Sequence, residues 1–302
     1  MFTSASGRLQ PAWSFLLSAA LSAITFLVCG YLADVVAGDH LLRFELLFRP
    51  LLALSLFGIY MWLLTVADQA EKDRTSALGF PRTQGWQHQL AAGCLLGLAL
   101  TVFAIGPIMV WATVSIGVRL NSHSAPRIVA VLIVLISGAL AEELMFRGYP
   151  FQRLEEAVGP VGAISIFSVL FGAVHATNPG ATPFGLINTV VIGVVLAIAY
   201  LRTRALWLPW GLHFGWNISL GLVFGLPVSG LRIFNVVIHT AAKGPRWLTG
   251  GDYGVEASLP GAVAVLAGLL IVWRWPVARL GEPLTFQLQK PEDLNSVTDI
   301  QQ

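Results

Sequence analysis

Long apolar runs separated by short polar stretches dominate this sequence and limit what it can fold into. A helix that crosses a bilayer needs ~20 mostly apolar residues, and hydrocarbon offers no hydrogen-bond partner to an irregular backbone. Only 11% of the residues are charged, against about 25% in an average soluble domain. We therefore predict an all-α fold, a polytopic membrane helical bundle of about eight transmembrane helices. The predicted spans are residues 12–38, 50–67, 90–118, 127–157, 160–176, 184–201, 206–226 and 259–280.

The connections between these spans divide the chain. Residues 227–258 form the longest connection, and their aromatic content argues against disorder, which favours a lid. Residues 281–302 are polar and lack a hydrophobic period, so we expect a disordered tail. The predicted parts are three N-terminal spans at 1–126, a core carrying the polar motifs described below at 127–226, the candidate lid at 227–258, a last span at 259–280 and the tail at 281–302.

The charge of the chain indicates its surroundings. A formal net charge of +2 is too small to favour a nucleic acid, so the lipid bilayer is the expected partner. Eight spans put both termini on one side, and the loops on that side carry more of the lysines and arginines than the opposite loops do. Because basic loops stay in the cytoplasm, we predict an integral protein of the plasma (inner) membrane with cytoplasmic termini. The oligomeric state stays open.

Three charges end the most apolar part of the fourth run: Glu142, Glu143 and Arg147. A charge in hydrocarbon is costly unless it is paired or faces a polar cavity, so such residues favour a functional interpretation. Glu143 and Arg147 stand one helical turn apart, in the order that favours an ion pair, which predicts a structural pair. Glu142 points elsewhere and is left without a partner. Glu142 is therefore the candidate for chemistry.

Gly159 followed by Pro160 predicts a turn that folds the fourth and fifth runs into an antiparallel helical hairpin. The arms from Glu142 to the turn and from the turn to His175 are nearly equal in length, so both side chains reach the same height. Small residues on the same face as His175 predict where the fourth helix packs against the fifth. This small-residue stripe is Ser165, Ser168 and Gly172.

The residues after Arg147 form an amphipathic stretch, which predicts that the chain emerges there into the cytoplasmic interface. The membrane boundary then falls near Arg147. Glu142 lies little more than one helical turn below that boundary, so the sequence predicts shallow access from the cytoplasmic face.

The seventh run contributes His213 and Asn217, whose helical spacing places both on one face. Taken alone, a membrane histidine or asparagine is often a hydrogen bond between helices. A carboxylate, two histidines and an amide on three helices of a chain poor in charge would need several independent structural explanations. Together they predict a polar site inside the bundle.

Three short motifs, in this order, resemble the signatures of the CAAX protease and bacteriocin-processing family of intramembrane proteases, also called the Abi or type II CAAX prenyl endopeptidase family. The motif residues are Glu142, Glu143, Arg147, Phe171, His175, His213 and Asn217. Each motif alone is weakly specific, but all three on apolar segments form a strong signal. The resemblance covers about residues 127–220 and implies an intramembrane endopeptidase that acts on a peptide or membrane protein.

The resemblance also implies a role for each residue. Glu142 and His175 hold the attacking water, while His213 and Asn217 stabilise the oxyanion. One such oxyanion donor is typically worth roughly 3–4 kcal/mol of barrier. The supporting residues are Glu143, Arg147 and Phe171. This chemistry uses no cofactor, and we predict none.

Two other functions stay open at this stage. Glu142, His175 and His213 can supply three zinc ligands and leave a fourth position for water. The sequence has no His-Glu-x-x-His motif and no third histidine within the core of a span, which favours metal-free catalysis. Intramembrane carboxylates and histidines also serve proton-coupled transporters, but the two halves of the chain show no internal repeat. Peptide hydrolysis therefore ranks first.

Overall fold

Long helices make up most of the structure. The computed structural model describes residues 10–67, 73–82 and 85–274, so the predicted tail at 281–302 lies outside the described residues. The helices are α1 (Pro11–Ala37), α2 (Leu41–Ala67), α3 (Arg74–Ala77), α4 (Trp86–Trp111), α5 (Ser124–Arg147), α6 (Tyr149–Val174), α7 (Pro183–Thr203), α8 (Trp207–Ile218), α9 (Arg246–Thr249) and α10 (Leu259–Arg274). Two antiparallel strands, β1 (Thr113–Val118) and β2 (Ile238–Lys243), form a small ribbon. The predicted all-α polytopic bundle is confirmed apart from this ribbon.

Among the described residues, five helical segments are long and apolar enough to cross a membrane, so the predicted count of eight is not confirmed. One of the five is the 51-residue stretch Ser124–Val174, which folds back on itself and contains the fourth and fifth predicted spans. Helix α8 has 12 residues and continues directly as a π-helix at Ser219–Val223. Helix α10 is described over 16 residues, to the last residue that the structure describes before the tail.

Two predicted span boundaries are wrong. The second span is predicted to start at Pro50, but α2 begins at Leu41 and contains Pro50 in its interior. Arg49 therefore lies inside an apolar helix instead of at its end. The third span is predicted to run to residue 118, but α4 ends at Trp111 and the following residues form β1. The sequence of β1 is rich in β-branched residues, which favour a strand once β2 supplies a partner.

The hairpin of α5 and α6 bends at two glycines. The predicted helix at 127–157 is interrupted at Gly148, where α5 ends and α6 begins. Pro150 lies in the first turn of α6. Amide hydrogens there have no acceptor within the helix, so a proline, which lacks one, costs nothing at this position. The predicted turn at Gly159 and Pro160 is present, because Gly159 adopts a φ of 81° that favours glycine. The second half of α6 then returns His175 toward α5.

The small-residue stripe of α6 packs against α7, so its predicted contact with the fourth helix is wrong. A Cβ atom added to Gly172 would lie 2.5 Å from Val190, and one added to Gly193 would lie 3.0 Å from the backbone of Ser168. These missing side chains let α6 and α7 approach closely. α5 packs mainly against α2 instead, which brings residues of α2 to the polar end of α5.

Facing glycines hold α8 against α4. Gly93 and Gly97 on α4 oppose Gly211 and Gly215 on α8, and a Cβ atom on any of them would collide with the backbone of the other helix. Close packing of this kind is available only to the smallest residues. It fixes the position of the helix that carries His213.

Candidate active site

A cavity of about 90 Å³ lies between the helices and brings the predicted polar residues together. Glu142 of α5, His175 at the end of α6, and His213 and Asn217 of α8 line it, as does Phe171. Aliphatic residues of α4, α5, α7 and α10 form much of the remaining wall. One buried water needs roughly 10–15 Å³ of such volume, so the cavity can hold several waters. The arrangement therefore surrounds a space large enough for several waters with a carboxylate, two imidazoles and an amide.

Glu142 has a partner that its helical position did not reveal, so the prediction that it is unpaired is wrong. Arg49 of α2 donates from Nη1 to Oε1 of Glu142 at 2.8 Å and from Nε to Glu45 at 2.6 Å. The other carboxylate oxygen of Glu142, Oε2, is buried without a hydrogen-bond partner among the described residues. It lies 3.7 Å from Nε2 of His213. One oxygen of Glu142 is thus fixed by an arginine, and the other faces a histidine.

Glu143 lies at the centre of a buried network behind the cavity. Its Oε1 accepts from Nη1 of Arg147 at 3.2 Å, which is the predicted pair, and from Nδ1 of His213 at 2.8 Å. Arg147 also donates to the carbonyl oxygen of Gly193 at 3.1 Å and lies 4.5 Å from the ring centroid of Phe171. The side chains of Glu143 and Arg147 are 0% and 1% exposed. Their pair therefore orients His213 from outside the cavity wall.

The imidazole of His175 is oriented by its own helix. Nδ1 of His175 lies 2.7 Å from the carbonyl oxygen of Phe171. Because a carbonyl oxygen only accepts, Nδ1 carries the hydrogen, and Nε2 of the neutral ring is left as an acceptor. The two rings also contact each other, with centroids 4.8 Å apart. Phe171 thus fixes both the ring and the tautomer of His175.

The connection 227–258, predicted as a lid, borders the cavity and is anchored by a buried carboxylate. Glu256 is 4% exposed. It accepts from Nε1 of Trp216 at 3.2 Å, from Oγ of Ser229 at 3.1 Å and from the backbone amide of Ser229. Asn188 of α7 donates to its carbonyl oxygen at 2.8 Å. The hydrogen bond from Trp216 therefore joins this connection to α8, one residue before Asn217. The sequence did not single out Glu256 or Ser229.

Arg147 lies inside the helical bundle, where it is buried and bonds Gly193 halfway along α7. The residue after α7 is Arg204, which makes a bidentate pair with Glu155 at 2.7 and 2.8 Å. Gly193 precedes Arg204 by three helical turns, roughly 16 Å. The membrane boundary near Arg147 and the shallow cytoplasmic access stay predictions.

The zinc alternative requires Glu142, His175 and His213 to act together as ligands. Within the described ranges, no three His, Cys, Asp or Glu side chains are grouped closely enough to hold a metal ion. Oε1 of Glu142 is already bound to Arg49. Nδ1 of each histidine is hydrogen-bonded elsewhere, which leaves each Nε2 as the ring atom that could bind a metal. Metal-free catalysis therefore stays a prediction, and the mechanism below uses no metal.

Long apolar helices around a charged cavity define an integral membrane protein with a polar site inside its bundle. Residues 124–219 match the family model described as type II CAAX prenyl endopeptidase Rce1-like. This segment carries all three sequence motifs, and the match confirms the predicted resemblance over that range. It supports a peptidase of the CAAX-protease type. No curated protein and no solved structure matches the chain.

Proposed function

We propose that this protein is an intramembrane endopeptidase that hydrolyses a peptide bond with a water activated by Glu142. The observation that carries the proposal is the convergence of Glu142, His175, His213 and Asn217 on one cavity between apolar helices. The Rce1-like match supports the same class of reaction. The substrate in this proposal is a peptide or a membrane protein. The location in the plasma (inner) membrane with cytoplasmic termini belongs to the proposal and rests on the basic residues.

The general base is Oε2 of Glu142. This oxygen has no hydrogen-bond partner in the described part of the chain, so its acceptor capacity is unused, and in the proposal it accepts from a water that enters the cavity. His175 accepts the second hydrogen of that water at Nε2, because its Nδ1 is held by Phe171. The water is then oriented by two acceptors, with its lone pair directed at the substrate carbonyl. A positioned general base typically contributes roughly 10²–10⁴-fold to the rate.

The oxyanion is stabilised from α8. Asn217 donates from its amide, and His213 donates from Nε2. Because Nδ1 of His213 already donates to Glu143, Nε2 can donate only from the protonated ring. Glu142 and Glu143 flank this ring at 3.7 and 2.8 Å and stabilise its positive charge. His213 thus supplies both a hydrogen bond and a charge to the developing oxyanion.

The proposed reaction proceeds without a covalent enzyme intermediate. The water oxygen bonds to the carbonyl carbon while one water proton moves to Glu142. The carbon–nitrogen bond then breaks, and Glu142 returns that proton to the departing amine. The products are a new carboxyl terminus and a new amino terminus, and Glu142 is again a carboxylate.

Asn217→Ala should lower kcat by roughly 10²–10³-fold with little change in KM, because an oxyanion donor acts mainly in the transition state. Peptide cleavage by the purified variant in liposomes measures both constants. Asn121→Ala is the matched control, since Asn121 lies in the turn before α5 and, among the residues that the structure describes, bonds to its neighbours there. A kcat of Asn217→Ala equal to that of the control would remove Asn217 from the mechanism.

Purified protein should contain far less than one zinc per chain and should keep its activity after dialysis against a tight chelator. The physical reason is that the proposed mechanism assigns activation of the water to a carboxylate. Elemental analysis and peptide cleavage on the same sample provide the measurement. One zinc per chain, with activity that is lost on its removal and restored on its return, would establish a metalloprotease instead.

A further inference from the structure

A residue outside the Rce1-like segment completes the catalytic site. Arg49 lies on α2, whereas the matched segment begins at residue 124. Its side chain lines the same cavity as Glu142 and bonds that carboxylate at 2.8 Å. We propose that Arg49 is a positioning residue that sets the orientation of Glu142. This inference rests on the proposed role of Glu142 as the base.

The bond from Arg49 makes the two oxygens of Glu142 unequal. Oε1 receives Nη1 of Arg49, while Oε2 has no hydrogen-bond partner among the residues that the structure describes. A carboxylate held at one oxygen cannot rotate freely, so Oε2 stays directed at the side where His213 lies, 3.7 Å away. Arg49 thereby selects which oxygen receives the proton from water.

Arg49 is itself held in place from three directions. Its Nε donates to Glu45 one turn earlier on α2 at 2.6 Å, and its guanidinium lies 5.5 Å from the ring centroid of Phe48. Its aliphatic stem passes over Gly138 of α5, where an added Cβ atom would lie 3.3 Å from Cδ. Gly138 stands one turn before Glu142 on the same face. The groove at Gly138 and the anchor at Glu45 therefore aim Arg49 at Glu142.

An arginine in a peptidase cavity can instead contact the substrate, and kinetics distinguish the two roles. A substrate contact that is equal in ground state and transition state changes KM and leaves kcat unchanged. A group that fixes the base acts on the chemical step and lowers kcat. Displacement of a catalytic group by about 1 Å can cost roughly 10²-fold in rate. We therefore expect the loss of Arg49 to appear in kcat.

The test measures kcat and KM for Arg49→Gln, Arg49→Lys, Glu45→Gln and Glu142→Gln in liposomes, normalised to folded protein. Arg204→Gln is the matched control, because it removes another arginine that joins two helices through a glutamate, away from the cavity. We expect a kcat loss of roughly 10²-fold in Arg49→Gln, partial rescue in Arg49→Lys, a smaller loss in Glu45→Gln and no loss in the control. Lysine keeps the charge but cannot bridge both carboxylates.

Each result has a defined meaning. Near-normal kcat in Arg49→Gln, or a change in KM alone, together with an inactive Glu142→Gln, would overturn the positioning role and leave the proposed function intact. An active Glu142→Gln would overturn the proposed function itself. If Arg49→Gln does not fold, Arg49→Lys and Glu45→Gln decide the question, and normal kcat in both would overturn the inference.

Discussion

Glu142→Gln is expected to give a folded membrane protein whose kcat has fallen by roughly 10²–10⁴-fold, the range typical of a lost general base. The amide of glutamine has nearly the shape of the carboxylate and can still accept from Arg49, so the cavity should keep its form. It cannot take a proton from water at neutral pH. Peptide cleavage in liposomes, with thermal unfolding measured on the same preparation, separates loss of chemistry from loss of structure.

Glu155→Gln provides the control for that experiment. Glu155 of α6 is also a glutamate bound to an arginine, Arg204 just after α7, but this pair does not line the cavity. Its substitution should leave kcat unchanged. Normal turnover by Glu142→Gln protein would end the assignment of Glu142 as the base.

Glu143→Ala should lower the free energy of unfolding by about 3–5 kcal/mol, which is the usual cost of leaving a buried ion unpaired. Arg147 would remain 1% exposed without its carboxylate. The same substitution removes the acceptor that holds Nδ1 of His213, so cleavage should weaken as well. Thermal and denaturant unfolding in detergent measure the effect on stability.

Arg147→Ala and the double variant complete that test. Glu143→Ala strands the charge of Arg147, and Arg147→Ala removes one of the two partners of Glu143 and leaves His213. The double change removes both members of the ion pair, so the double variant should lose less stability than the sum of the two. Glu155→Ala is the control, because its partner Arg204 is half exposed and such a pair is worth about 1 kcal/mol or less. Equal losses from Glu143→Ala and Glu155→Ala would contradict a structural role for the buried pair.

Local rules of helix geometry predicted much of this site. The spacing of Glu143 and Arg147 indicated their pair, and the nearly equal arms of the hairpin placed Glu142 and His175 at one height. Both inferences use contacts within a helix or between neighbours joined by a short turn. His213 and Asn217 come from a helix farther along the chain, where their spacing placed both on one face, and the motif resemblance implied their roles. The structure brings these residues to one cavity.

The partners of Glu142 and Trp216 could not be predicted in the same way, because they come from distant elements. Arg49 follows Glu45 in the same order and spacing as Arg147 follows Glu143, yet the neighbouring Pro50 indicated a helix start and concealed this signal. Nothing local indicates that α2 packs against α5. Glu256 lies in a connection whose path depends on tertiary contacts with α7 and α8.

Errors in the predicted spans have a related cause. Hydropathy locates apolar residues but does not say whether lipid or protein surrounds them. Arg147 resembles an interfacial residue in the sequence, but Glu143 and the carbonyl oxygen of Gly193 satisfy it inside the bundle. The short helix α8 is apolar because it is packed between other helices. Other parts of the protein, and not lipid, thus surround Arg147 and α8.

Mass spectrometry of membrane peptides from cells that make either the wild-type protein or Glu142→Gln tests the central claim most directly. An intramembrane peptidase predicts that specific peptides or membrane proteins accumulate uncut in the variant, and that the matching cleavage products are present only with the wild type. Cells with Glu155→Gln should match the wild type. Identical peptide profiles for wild type and Glu142→Gln would contradict peptide hydrolysis at this cavity.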